Sequence, residues 1–187
     1  IKKIDRQNSI EMQTDIFNQH KQKVTTGVAK VKIIEDEFQE KDRQVNNNKT
    51  VLIIGASGGI GSQTARTLAK EGYGLILHYH SNKTQVIKLK KELEVLTDKR
   101  IIIVKANILK DSDVSDMFID LSRYFKNISA FVNASTLHFG NIKLENMEWG
   151  DISAQIDINI KSNLNILKYI TPFMQKNKYG KIVFMTT

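Results

Sequence analysis

Between two apolar stretches of the chain lies Ile53-Ile54-Gly55-Ala56-Ser57-Gly58-Gly59-Ile60-Gly61. Glycines at this density suit the cradling of a phosphate. Gly55 lets the backbone leave a strand in a conformation that residues with a Cβ avoid. Gly59 leaves room for a pyrophosphate to approach the main chain, and Gly61 lets a following helix pack tightly on a sheet. A helix starting here presents unpaired N–H groups and partial positive charge to the phosphates. The plainer reading is a Gly-rich turn with no ligand. Placement between a buried strand and a helix start speaks for the ligand.

Roughly 20 positions after such glycines, a carboxylate would bind a ribose 2′-hydroxyl and repel a 2′-phosphate. This chain has His78-Tyr79-His80-Ser81-Asn82-Lys83 there, with no acid. Ser81, Asn82 and Lys83 supply donors suited to a phosphate. The expected cofactor is therefore NADP, ahead of NAD. His78 and His80 also read as ordinary strand-end histidines, and His138 reads as a solvent-facing loop residue ahead of a substrate contact. The absence of cysteine excludes disulfides and thiolate metal sites. It also fits a reducing compartment, and a cytoplasmic location is expected. No metal site is anticipated.

The net charge of +8 invites a nucleic-acid reading. Residues 1–48 hold 9 Lys/Arg and 8 Asp/Glu of the chain's 28 and 20, which leaves 19 and 12 for residues 49–187. The excess is mostly lysine on polar helix faces, such as Lys88, Lys90 and Lys91, with few aromatics between. A solvated basic surface explains that better than a nucleic-acid footprint. No run approaches the roughly 18 apolar residues of a membrane span. Neither nucleic acid nor membrane is expected as a partner.

Hydrophobic spacing supplies the framework around these residues. Ile10, Met12, Thr14 and Ile16 alternate with polar residues, and Val24–Ile34 is rich in Val, Ile and Thr. Both predict strands of an antiparallel pair that needs a partner. A polar linker, Gln44–Asn48, places a domain boundary at 48. Beyond it, Val51–Ile54, Gly74–Tyr79, Arg100–Lys105, Ile128–Asn133 and Lys181–Met185 are apolar runs that predict buried parallel strands. Helices are predicted over Ile60–Glu71, over Gln85–Leu96 with Leu96 inward, from Asp111 or Ser112 through Phe125, and over Asp151–Lys176. The fold class is α/β: a doubly wound parallel sheet of Rossmann type with helices on both faces. It is preceded by a short antiparallel β segment and is incomplete at the C-terminus.

The glycine spacing here is Gly-x3-Gly-x-Gly. With it come Val132-Asn133-Ala134-Ser135, Ile158-Asn159-Ile160-Lys161, Thr171-Pro172-Phe173-Met174 and Gly180-Lys181-Ile182-Val183. In this order and on these elements, residues 49–187 resemble the short-chain dehydrogenase/reductase family, and the run Trp149-Gly150-Asp151-Ile152 through Lys161 looks like its 3-oxoacyl-acyl-carrier-protein reductases. Ile54, Val132 and Asn107 depart from the family's usual Thr, Asn and Asp. The resemblance implies cofactor contacts at Gly55, Ser57, Gly58, Gly59, Ile60 and Gly61. Further contacts fall at His80, Ser81 and Asn82, at Asn107 and Ile108, and at Asn133, Ala134 and Ser135. The stretch His78–Asn82 is similar to one that binds the NADPH 2′-phosphate in pteridine reductases.

The resemblance also implies catalytic roles. Asn159 matches an Asn that holds a water in the family's proton path, and Thr187 falls where the family has a substrate-orienting Ser. Without the resemblance, Asn159 reads as a polar helix residue and Thr187 as a strand-end Thr. The family's Tyr-x3-Lys acid falls beyond the position of Thr187; the one Tyr-x3-Lys spacing within the 187 residues, Tyr79 to Lys83, lies in the cofactor stretch after the second strand instead. The chain is therefore expected to come from a longer parent and to be inactive alone. In that parent the implied reaction is NADPH reduction of a 3-oxoacyl thioester, and the competing reading is a non-catalytic NADP-binding module. The partners implied are a small-molecule or acyl-thioester substrate and a second copy. That copy would dock along the long helix, where Ile156, Ile160 and Leu167 form one stripe and Ile166, Ile170 and Phe173 a second. Residues 1–48 resemble the closing strands of a hot-dog-fold dehydratase or thioesterase domain.

Overall fold

The computed structural model describes residues 3–4, 9–32, 49–137, 140 and 142–185. The chain divides into two compact units, Ile1–Arg43 and Gln44–Thr187. Ile33, Ile34, His138 and Thr187 lie outside the described residues.

Among its described residues the first unit contains three strands rather than two. They are β1 (Lys3–Ile4), β2 (Ser9–Phe17) and β3 (Lys23–Lys32), antiparallel in the order β1-β2-β3. Ile10 faces Val31 and Thr14 faces Gly27, and the register slips between Ile16 and Phe17. The connecting turn is closed by Asn18, whose Oδ1 accepts from the backbone N–H of His20 at 2.9 Å and of Gln22 at 3.0 Å.

The second unit is a five-stranded parallel sheet flanked by helices. Its strands are β4 (Thr50–Ile54), β5 (Gly74–Tyr79), β6 (Ile101–Lys105), β7 (Ala130–Asn133) and β8 (Lys181–Phe184), in the order β6-β5-β4-β7-β8. Helices α1 (Gly59–Lys70), α2 (Lys83–Leu93) and α3 (Asp111–Tyr124) connect the first four strands. Between β7 and β8 run a short 3-10 turn (Leu144–Asn146), α4 (Trp149–Ile156), a π-helical segment (Asp157–Lys161) and α5 (Ser162–Lys176).

The apolar strands split their side chains between two cores, because successive residues of a strand point to opposite faces. Val51, Ile53, Leu75 and Leu77 pack with Ala65, Ala69, Val86, Leu89 and Leu93 of α1 and α2. Leu52, Ile54, Ile76 and Phe131 pack with Val114, Phe118, Leu121, Ile166 and Ile170 of α3 and α5. This is the doubly wound arrangement expected from the alternation of strands and helices. The sheet reverses direction of winding beside β4, which pairs with β5 on one side and β7 on the other.

Three local expectations need correction. Helix α2 begins at Lys83, because Asn82 Oδ1 accepts from Gln85 N–H and caps it, and it ends at Leu93. Leu96 therefore lies in the turn beyond, 37% exposed, and does not face the core. The single helix expected over Asp151–Lys176 is broken by the π segment, where Ser162 N–H reaches the carbonyl of Asp157. The inserted residue rotates all of α5 about its axis, so Ile166 and Ile170 are fully buried and form no second exposed stripe.

A Cβ on Gly61 would collide with the carbonyl oxygen of Gly55, whereas one on Gly59 would meet nothing within 4 Å. Gly61→Ala is therefore expected to lower stability by about 1–3 kcal/mol, the usual cost of overpacking. Gly59→Ala should stay within about 0.5 kcal/mol of the parent chain. Urea denaturation midpoints of the two variants check this.

Candidate functional site

The reversal of winding opens a crevice at the C-terminal ends of β4 and β7, the place where doubly wound sheets take ligands. Gly55 turns the chain out of β4 with φ +71, and a Cβ there would lie 2.7 Å from the Ala134 carbonyl oxygen. Ala134 N–H donates to Ile54 O at 3.0 Å, so the loops after the two strands are held against each other. Beyond Gly55, α1 starts with no side-chain cap and no acidic residue in its first turn. The N–H groups of such a turn lack partners within the helix. An anion is what they suit.

A cleft of about 340 Å³ opens here, walled by Gly55, Ser57, His80, Ser81, Asn82, Asn107, Ile108 and Ser135 among others. Those eight are all residues that the sequence singles out. Gly59 and Ile60 instead border a separate hollow on the outer side of α1. Gly61 and Asn133 are buried and build the site from beneath.

The cleft's rim is held by side-chain bonds to backbone. Asn107 Oδ1 accepts from Leu109 N–H at 3.1 Å, and Asp113 Oδ2 accepts from Asn107 N–H at 3.2 Å. Asn165 of α5 donates to Ile108 O at 3.1 Å. Asn133 accepts from Ser135 N–H at 2.9 Å and Ser135 Oγ at 2.6 Å, and its amide donates to Asn163 Oδ1 at 2.7 Å. Asn163 in turn donates to Asn159 O at 2.7 Å. Sequence patterns do not single out Asn163 and Asn165. Their partners stand 30 and 57 residues away. Only the Asn-x-Asn spacing hints at them.

Two expected donors have other work. Asn82 caps α2, and its Nδ2 also donates to Gln85 Oε1 at 2.7 Å. That leaves Ser81 and Lys83 as the exposed donors of this stretch. Asn159 stands in the π segment, and its Nδ2 donates to Gln155 O at 2.9 Å. The neighbouring Ile158, not Asn159, walls the cleft. Asp113, Asp116 and Asp120 line an adjoining hollow that shares His80 and Asn107 with the cleft.

The model of the short chain dehydrogenase family matches residues 49–187. The chain belongs to that family. Among curated relatives, a 3-oxoacyl-[acyl-carrier-protein] reductase of Staphylococcus epidermidis is 30% identical over 142 residues, 75% of this chain and 57% of that protein. An uncharacterised oxidoreductase of Bacillus subtilis is 33% identical over 141 residues, 75% of this chain and 56% of that one. The chain thus spans little more than half the length of these relatives. Two solved structures share the fold. An NAD⁺-bound xylitol dehydrogenase has TM-score 0.69 at 23% identity, covering 74% of this chain and 53% of its own. An NADH-dependent reductase complexed with NAD has TM-score 0.68 at 22% identity, covering 76% and 60%. Among the described residues, no helix is long and apolar enough to cross a membrane.

His78 forms part of the cleft wall. It is 3% exposed, with Nε2 3.0 Å from Ala106 O. Since a carbonyl only accepts, Nε2 carries the proton, and the bond ties β5 to the loop after β6. Burial lowers the imidazole pKa from 6.5 to about 4, against the opposing pull of the Ala106 carbonyl. The unfolded chain takes up this proton near 6.5 and the folded chain does not. Stability is therefore complete above about pH 6.5 and is lost as pH falls toward 4. The expected loss is roughly 3 kcal/mol. Urea unfolding at pH 7 and pH 4.5 should show it in the parent chain, and His78→Leu should flatten that component of the slope.

Proposed function

We propose that the crevice holds NADPH and that the whole protein, of which these 187 residues supply the cofactor-binding part, is a carbonyl reductase that converts a 3-oxoacyl thioester to the 3-hydroxyacyl form. The observation that carries the reading is the uncapped, acid-free start of α1 directly beyond the Gly55 turn. In this reading the backbone N–H groups of Gly59, Ile60 and Gly61 take the pyrophosphate. The adenine end lies between His80 and the Asn107–Ile108 loop. Ser81 and Lys83 take the 2′-phosphate, since Tyr79–Lys83 contains no carboxylate. Asn133, Ala134 and Ser135 support the nicotinamide side of the crevice.

NADPH, when bound, supplies the hydride. The chain's own contribution is to orient it and to exclude water between Ile158, Leu109 and Leu137, which wall the cleft. Asn159, the family's helix asparagine, stands in the wide π turn with its Oδ1 as a water-holding acceptor, and Thr187 is the group that orients the substrate carbonyl. The thioester substrate is supported by the 30% identity to the Staphylococcus epidermidis reductase. A cytoplasmic location goes with the same reading.

Isothermal titration tests the cofactor assignment. NADPH is expected to bind more tightly than NADH, and Gly59→Val is expected to weaken NADPH by about tenfold or more, near 1.4 kcal/mol. Equal or tighter NADH binding would assign the ribose to the acidic hollow of α3. Tight NADPH binding by the whole protein, with no oxidation of the cofactor by any 3-oxoacyl thioester, would favour a non-catalytic binding module.

The assembly is proposed to be a homo-oligomer. Ile152, Ile156, Ile160 and Leu164 repeat every four residues along α4, the π segment and α5, and are 39%, 43%, 63% and 56% exposed. Leu167 is half-buried against the core and drops out of this stripe. A contiguous exposed apolar stripe marks an interaction surface. Sedimentation should show self-association at micromolar concentration, and Ile160→Glu should abolish it.

A further inference from the structure

A second cleft lies at the opposite, N-terminal end of the sheet, one strand length or about 16 Å from the crevice. Its volume is about 390 Å³. Lys49 opens onto it ahead of β4, Lys99 and Arg100 ahead of β6, and Lys126 ahead of β7. Four cations thus converge on one hollow, and no carboxylate is among its described lining residues.

Two of these residues are fixed at the main chain. Gly74 N–H donates to Lys49 O and Leu75 N–H to Arg100 O, both at 3.0 Å. Their side chains make contacts that leave the charge uncompensated. Lys49 Nζ sits 4.6 Å from the centroid of the Tyr179 ring, and Arg100 Nη1 donates to the Tyr124 carbonyl oxygen at 3.3 Å. The acid beside Lys99 is Asp98, at 3.9 Å and with its side chain 87% exposed, too far and too solvated to neutralise it. Asn127 also lines the hollow, and its buried Oδ1 has no hydrogen-bond partner among the described residues.

Cations at this end of a parallel sheet also meet the negative C-terminal ends of the helices. The Arg100–Tyr124 bond at the end of α3 is such a contact. It uses one donor of one cation. Lys49, Lys99 and Lys126 remain around the same concave space. That concavity is within the range of about 300–1,000 Å³ typical of small-ligand pockets.

We propose that this cleft binds a compact polyanion of the phosphate-ester class, with Lys99, Arg100 and Lys126 on the phosphoryl oxygens. The site is separate from the dinucleotide crevice and opens on the other end of the sheet, so the two bind independently.

Calorimetry and thermal unfolding with inorganic pyrophosphate test this in the Gly59→Val background, which weakens the competing phosphate cradle. Sulfate at matched ionic strength is the control. Pyrophosphate is expected to raise the unfolding midpoint saturably where sulfate does not. Lys99→Gln/Arg100→Gln should weaken it by tenfold or more, and so should Lys126→Gln, a change on an exposed side chain that leaves the fold intact. In the parent background the double variant should bind NADPH as before. Equal effects of pyrophosphate and sulfate would overturn the proposal, as would undiminished affinity in both sets of variants.

Discussion

The close approach of Gly55 to the Ala134–Ser135 backbone is the constraint on which the rest of the second unit depends. Two parallel strands, β4 and β7, lie side by side although about 75 residues of chain separate them. The Ala134 N–H to Ile54 O bond extends their pairing one step past the strands. With a side chain at 55 the two loops would part, since a Cβ there would lie within 3 Å of three Ala134 and Ser135 backbone atoms. The positive φ of Gly55 then aims the chain so that Gly61 rests against the Gly55 carbonyl. The crevice, the free start of α1 and the packing of α1 on the sheet are consequences of one tight crossing.

Around that crossing the polar side chains act as ties and carry little of the net stability. Each neutral hydrogen bond contributes about 1 kcal/mol, but a buried partner left alone costs more. Asn133, Asn163, Asn165 and His78 connect three loops that hydrophobic packing alone would leave free to shift. Stability itself lies in the two apolar cores on either side of the sheet. A ligand cleft whose rim is tied in advance loses less entropy on binding. The exposed ion pair of Arg66 with Glu92, although bidentate at 2.6 and 3.1 Å, joins α1 to α2 at the surface and adds little.

The strands, the glycine turn and the order of elements are legible in the sequence because each is a local pattern. Val51–Ile54 and Leu75–Leu77 announce burial on both faces, and Gly55–Gly61 announces the turn. Which strand residue faces which helix is not legible, because an uninterrupted apolar run carries no phase. The start of α2 is readable in principle: Asn82 followed by Gln85 is a capping pattern. The π segment leaves no such mark in Asp157–Lys161, where neither Gly nor Pro announces a break. The ties through Asn163 and Asn165 span 30 and 57 residues and exist only once the fold has formed.

The central claim is that a dinucleotide's phosphates rest on the first turn of α1. Amide chemical shifts of the isotopically labelled protein, recorded during titration with NADPH, test it most directly. The largest changes are expected at Gly59, Ile60 and Gly61, with smaller ones at Ser81, Asn107 and Ser135. Saturable binding that leaves those three glycine-turn amides unmoved while other regions shift would contradict the account.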